Sequence, residues 1–219
     1  MCGRYSFAPD LKIVNQHYDI KVGDGTLFPN YNCAPTQMLP VLTTETPGQL
    51  SFFRWGLIPF WAKDTSIGSK LINARAETIL EKPSFKHSFK SRRCLVPADS
   101  FYEWKASETG GRKTPYRIFL KDQPLFSMAG LWDQWKSPAG EIIRSFSIIT
   151  TSPNEMMAGI HNRMPVILPA KSEHFWLEAN NENDLLGLLQ PFASDKMNYV
   201  VVSDFRFRIS DFRFGIWDL

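Results

Sequence analysis

The amino-acid sequence predicts an α+β fold: a single domain with a mostly antiparallel, barrel-like β core flanked by short helices. Three observations carry this. Short β-branched and aromatic runs outnumber helical patterns along the 219 residues, and few are separated by the spacing of a βαβ unit. No linker-like composition divides the chain. With 43% hydrophobic residues the chain can bury a substantial core, which excludes a disordered body.

The elements follow in order. Residues 10–20 read as a short helix, with Leu11, Val14 and Tyr18 on one side and Asp10 as its cap. Residues 31–40 are turn-rich. Residues 41–44 and 50–57 read as paired strands around Pro47-Gly48, the second rich in aromatics. Residues 71–75 form a buried segment that leads into a helical stretch. In residues 82–93, Lys82, Lys86 and Lys90 recur every four positions, as do Phe85 and Phe89, so a helix presents a basic face and an aromatic face. Arg92 and Arg93 suit its C-terminus. This pattern fits a solvated amphipathic helix, and equally a basic wall of a phosphate-binding groove.

Residues 93–97 and 101–105 read as two strands around a tight turn. Residues 115–119, 125–131 and 142–150 are further strands, separated by turn signals such as Ser137-Pro138-Ala139-Gly140. Residues 154–159 form a short helix, 164–168 a strand, and 172–177 and 184–189 two helices. The tail repeats itself: Ser203-Asp204-Phe205-Arg206-Phe207-Arg208-Ile209 is followed by Ser210-Asp211-Phe212-Arg213-Phe214-Gly215-Ile216. Two units are too few for a solenoid.

A net charge of +3 permits a nucleic-acid partner without demanding one. The cysteines, Cys2, Cys33 and Cys94, are odd in number, widely spaced and without a CxxC pair. They signal neither a disulfide framework nor a zinc site, and point to a reducing compartment. No apolar run reaches the ~18 residues of a membrane span, and no signal-peptide pattern opens the chain. A soluble, cytoplasmic protein without a metal or cofactor is expected.

The chemistry-bearing position is Cys2. Once Met1 is removed, its α-amine and thiol lie two carbons apart. Their reference pKa values of ~7.7–8.0 and ~8.5 leave both partly nucleophilic near neutrality. The pair can condense with an aldehyde to a Schiff base and close a thiazolidine, or the thiolate can attack an acyl carbon. Asn73, Glu103 and His161 are the polar residues of otherwise apolar segments. Between Tyr102 and Trp104, Glu103 is expected to be desolvated, which raises a carboxyl pKa into a useful acid–base range. A solvent-facing Glu103, a capping Asn73 and a core-bonded His161 are the plainer readings.

Six segments occur together in this order: Cys2-Gly3-Arg4; Tyr31-Asn32-Cys33-Ala34-Pro35; Trp55-Gly56-Leu57-Ile58-Pro59; Ile72-Asn73-Ala74-Arg75-Ala76-Glu77-Thr78; Arg93 through Trp104; and His161-Asn162-Arg163-Met164-Pro165-Val166-Ile167-Leu168. The chain thereby resembles the SOS response-associated peptidase (SRAP) family, whose members shield abasic sites in single-stranded DNA. The resemblance spans residues 1–203, and residues 204–219 form an atypical tail that inherits no role from it.

The resemblance implies that Met1 is removed, by the protein itself, and that Cys2 captures the opened abasic sugar as a stable thiazolidine crosslink. It implies that Asn73 holds the N-terminal cysteine. Glu103 assists amine deprotonation and Met1 removal, and His161 aids sugar ring opening and proton transfer. Arg4 and Arg75 grip phosphates flanking the lesion, and Pro35, Trp55 and Trp104 lie in segments of the DNA-facing groove. The expected partner is single-stranded DNA with abasic sites, bound by a monomer. The alternative is a thiol peptidase or amidohydrolase built on Cys2, His161 and Asn73. A non-covalent nucleic-acid-binding module is a third reading.

Overall fold

The computed structural model describes residues 2–23, 27–107 and 110–202. Met1 and the repeated tail, on which two of the expectations above bear, lie outside the described residues. Five strands close a ring. Strand β3 (Met38–Thr43) pairs with β4 (Ser51–Trp55) and β6 (Arg93–Ala98). Strand β6 pairs with β9 (Phe126–Lys136), and β9 with β10 (Ile142–Thr151). These four junctions are antiparallel, and a parallel pairing of β10 with β4 closes the barrel. This is the expected α+β architecture with a barrel-like, mostly antiparallel core. Closure removes the exposed edges that an open sheet of this size presents.

A second, antiparallel sheet packs beside the barrel in the order β13 (Met197–Val201), β8 (Thr114–Leu120), β7 (Ser100–Lys105), β1 (Tyr5–Phe7) and β2 (Asn30–Cys33). The turn between 93–97 and 101–105 is present, but it does not make a hairpin. It carries the chain from the barrel (β6) into the second sheet (β7) through the single residue Asp99. The Asp99 carboxylate accepts hydrogen bonds from Ser6 Oγ, the Ala8 backbone N–H and Ser100 Oγ, which ties β1 to this crossing.

Segment 31–40 is more regular than its turn-forming residues suggest. Strand β2 occupies Asn30–Cys33 and β3 begins at Met38, so the turn is confined between them. The predicted strand 164–168 is split into β11 (Met164–Pro165), paired with β10, and β12 (Ile167–Leu168), paired with β9. Between them Val166 bridges the two, donating to Ile149 O and accepting from Ala129 N.

The helices follow their sequence signals. Helix α1 (Leu11–Tyr18) is capped by Asp10, whose side chain accepts from Lys12 N at 2.7 Å. In α2 (Pro83–Ser91) Phe85 and Phe89 are buried, contributing roughly 1.5–3 kcal/mol each, and Lys82, Lys86 and Lys90 are solvent-facing. Arg93 is buried and donates to Phe89 O, Lys90 O and the Trp176 and Leu177 carbonyls, so it joins the end of α2 to α4 (Ala170–Glu178). Arg92 pairs with Asp133, and Lys90 with Glu182. These engagements favour the amphipathic-helix reading over a phosphate-binding wall. Two short helices, α3 (Glu155–Ala158) and α5 (Glu182–Gly187), complete the described set. No helix of the described residues is long and apolar enough to cross a membrane.

Gly56 ends β4 at a close approach of two backbones. Its φ is +113°, and a Cβ there would lie 2.6 Å from Gly68 O. Strain and overlap together predict that Gly56→Ala costs about 3 kcal/mol. A thermal melt checks this, and an unchanged midpoint would show that the two segments can separate freely.

Candidate active site

Only Gly3 and Arg4 separate Cys2 from β1, so the site is built from the strands that flank β1. Tyr5 pairs with Phe101 and Ser6 with Ser100, and Tyr102 N donates to Arg4 O. Continuing this antiparallel register sets Gly3 opposite Glu103. Glu103 is thereby brought beside Cys2 by strand pairing alone. It is only 2% exposed, which overturns the solvent-facing alternative. Burial pushes its carboxyl above the ordinary range, the direction expected from its aromatic neighbours.

Asn73 arrives from the barrel. Strand β5 (Asn73–Arg75) pairs in parallel with β10, Asn73 opposite Ile148 and Arg75 opposite Thr150. Its alternation buries Ala74 and turns Asn73 and Arg75 to the other face. Asn73 Nδ2 donates to the Cys2 carbonyl at 2.9 Å. Asn73 Oδ1 is buried and has no hydrogen-bond partner among the described residues. An acceptor left open beside Cys2 is available to a donor that enters the site.

His161 stands in the loop between α3 and β11. Its backbone N–H donates to Met157 O, and its Nε2 lies 3.9 Å from Glu103 Oε2. Burial depresses its pKa below the ordinary histidine value. A neutral imidazole and a carboxyl that holds its proton more tightly than usual are thus neighbours, a pairing suited to passing protons near neutrality.

The Cys2 thiol differs from its reference state. Cys2 is fully buried, and burial first, then the Glu103 charge, pushes its pKa far up. Burial therefore disfavours the partial thiolate expected from the reference value. Burial raises Cys33 and Cys94 in the same way, and both sit in the core.

Arg4 is half-buried, with its guanidinium donating to Gly3 O, and Arg75 is exposed on the same strand face as Asn73. Pro35 and Trp104 are half-buried and keep part of their surface in solvent. Trp55 is a correction. Its indole is completely buried, stacked on Phe146 at 6.2 Å, tilted against Tyr5 and bonded through Nε1 to Ile72 O. A ring without an open face cannot stack on a base, so Trp55 supports the wall behind Asn73. The exposed rings of that segment are Phe60 and Trp61.

Two charged residues of the site region escape sequence reasoning. Arg163 Nη1 and Nη2 donate to the two Glu77 carboxylate oxygens at 2.7 and 2.9 Å, and Nη2 also donates to Thr150 O at 2.6 Å. The only hint was that opposite charges stand in two of the six segments. Among the described residues no three His, Cys, Asp or Glu side chains converge as metal ligands.

This arrangement belongs to a known group. The family described as SOS response associated peptidase (SRAP) matches residues 1–205. The chain belongs to that family. Among its relatives, abasic site processing protein YoqW of Bacillus subtilis is 45% identical over 208 residues, covering 93% of this chain and 92% of its own. Abasic site processing protein HMCES of Rattus norvegicus is 33% identical over 204 residues, covering 74% of this chain and 58% of its own. A crystal structure of a protein from Bacteroides thetaiotaomicron superposes with a TM-score of 0.85 at 34% identity, covering 92% of each chain.

Proposed function

We propose that the protein processes abasic sites in single-stranded DNA, acting as a monomer and capturing the lesion covalently through Cys2 after autoproteolytic removal of Met1. The observation that carries this is that Asn73 bonds Cys2, Glu103 lies beside it through the β1–β7 register, and His161 stands against Glu103, three separate elements meeting at one site. The printed names of the relatives, abasic site processing proteins, agree with it.

Hydrolysis of the Met1–Cys2 bond turns the Cys2 amide nitrogen into an amine. His161 aids the proton transfers that open the sugar's ring hemiacetal to a C1′ aldehyde and a C4′ hydroxyl. Glu103 takes a proton from the ammonium form of the Cys2 amine, which then attacks C1′. Loss of one water gives the Schiff base. The thiol then adds to the same carbon, its proton passing by way of the Glu103–His161 pair to the nitrogen. The product is a five-membered ring and one released water. Because burial disfavours the thiolate, the amine leads and the thiol follows in this scheme. Asn73 holds the Cys2 carbonyl, which fixes both nucleophiles against the sugar.

Arg4 and Arg75 supply guanidinium groups for the phosphates on either side. Arg75→Ala is expected to weaken binding and to reduce the salt slope by about 0.7, the share of one single-strand phosphate contact. A titration at several salt concentrations measures it, and an unchanged slope removes Arg75 from the interface. Exposed Phe60 and Trp61 supply faces on which bases beside the lesion can stack.

The thiol-peptidase alternative is less well supported. A thiol activated by an imidazolium has a lowered pKa, whereas Cys2 is pushed up and its Sγ faces Arg4 O and the Glu103 side. The deciding experiment is an intact-mass spectrum before and after incubation with abasic single-stranded DNA. Loss of Met1 followed by an adduct one water lighter than the sum supports the reading. Protein lacking Met1 that gains no mass defeats it.

A further inference from the structure

We infer that the Glu77–Arg163 ion pair is a positioning device for His161, setting which ring nitrogen carries the proton. The inference rests on the reading of Cys2, Glu103 and His161 as the reacting centre.

The backbone of Arg163 lies next to the ring, through the two peptide groups that flank its Cα. Its N–H lies 3.1 Å from His161 Nδ1, and its carbonyl oxygen lies 3.3 Å from the same nitrogen. The two contacts call for opposite states of Nδ1. In the neutral ring the shorter contact governs: Nδ1 accepts from the N–H, so the hydrogen sits on Nε2, which faces Glu103 at 3.9 Å. When the ring gains a second proton, Nδ1–H can turn to the carbonyl. The backbone N–H and carbonyl of one residue, Arg163, therefore seat both protonation states, as a proton carrier requires.

The His161 backbone is held to Met157 O on one side of the ring, and the seat on the other side is as fixed as Arg163. The segment 159–163 has no regular structure of its own, and the Arg163 side chain ties it down. The guanidinium makes a bidentate pair with Glu77 and also bonds Thr150 O. Thr150 is the β10 partner of Arg75, and Glu77 follows two residues later. The clamp thus joins the loop of His161 to the strand that carries Asn73. The Arg163 side chain is 13% exposed and Glu77 51%. A half-exposed pair adds little to global stability, so its main consequence is local geometry.

The test uses Glu77→Gln in protein lacking Met1. Single-turnover crosslinking is measured with abasic single-stranded DNA. Affinity is measured separately with a strand carrying a tetrahydrofuran abasic analogue, which has no aldehyde. The ring-nitrogen NMR shifts of His161 report the tautomer directly. The crosslinking rate is expected to fall about tenfold, the scale of a small misplacement of a reacting group. Affinity should stay within about twofold, since the pair does not hold phosphate in this reading. The ring signals should move from the Nε2–H form towards a mixture. Unchanged rate and ring signals overturn the inference. So does a parallel loss of rate and affinity with unmoved ring signals, which would make the pair a DNA contact. If Glu77→Gln does not fold, Arg163→Lys keeps the charge, breaks the bidentate geometry and carries the same expectations. A wild-type protein that forms no adduct defeats the crosslinking reading, while the ring-nitrogen signals still decide whether the clamp sets the tautomer.

Discussion

In protein lacking Met1, Cys2→Ala is expected to abolish the heat-stable adduct with abasic single-stranded DNA, a loss of at least about 100-fold given the advantage of intramolecular ring closure. The alanine variant keeps an α-amine, so a Schiff base still forms and can be trapped by borohydride. Without the thiol it has no second bond to close, and water returns it to aldehyde and amine. The upward push that burial gives the Cys2 thiol favours this separation. The thiol adds nothing until the amine has fixed the sugar carbon beside it and a neighbouring base accepts its proton. Denaturing electrophoresis after heating, with and without reduction, reads both stages. A heat-stable band from the alanine variant at the wild-type level, without reductant, would remove the thiol from the chemistry.

How much of this was legible in the sequence depended on the range of the forces involved. The Asp10 cap and the Phe85–Phe89 stripe were readable because one turn of helix contains their causes. Strand β1 was not, because Tyr5-Ser6-Phe7 has three residues and is a strand only by virtue of β2 and β7 on either side. The desolvation of Glu103 was readable from its aromatic neighbours, but its place beside Cys2 depends on a register set across nearly the whole first half of the chain. Trp55 misled because an aromatic residue signals burial or stacking equally, and only the Tyr5 and Phe146 contacts decide between them. Arg93 was readable at the end of α2, where it bonds Phe89 O and Lys90 O, but its burial was not. A cation that finds enough backbone carbonyls can be buried, and the further carbonyls come from α4, which is remote in sequence. The Glu77–Arg163 clamp joins residues too far apart for any local pattern to connect.

Glu103→Gln separates what the buried carboxylate does for the reaction from what it does to the fold. Glutamine keeps the shape and cannot accept a proton, so the crosslinking rate is expected to fall by about 100-fold or more, the usual share of a positioned acid–base group. Binding to the tetrahydrofuran strand should persist. In the wild type, the base form exists only above the Glu103 pKa, and burial raises that pKa. Activity should therefore decline as pH falls, through a midpoint above the ordinary carboxyl range, and this limb should vanish in the variant. Stability has the opposite sign. A carboxyl whose folded-state pKa lies above its unfolded value adds stability below the unfolded pKa and loses it as pH rises through the folded one. Above its folded-state pKa the chain holds a charge that burial opposes, and there Glu103→Gln is expected to raise the thermal midpoint while it removes activity. A variant equally slow but less stable in that range would mean that Glu103 supports the fold through its bonds rather than straining it through its charge. The rate loss would then reflect a disturbed Cys2 and not a missing base.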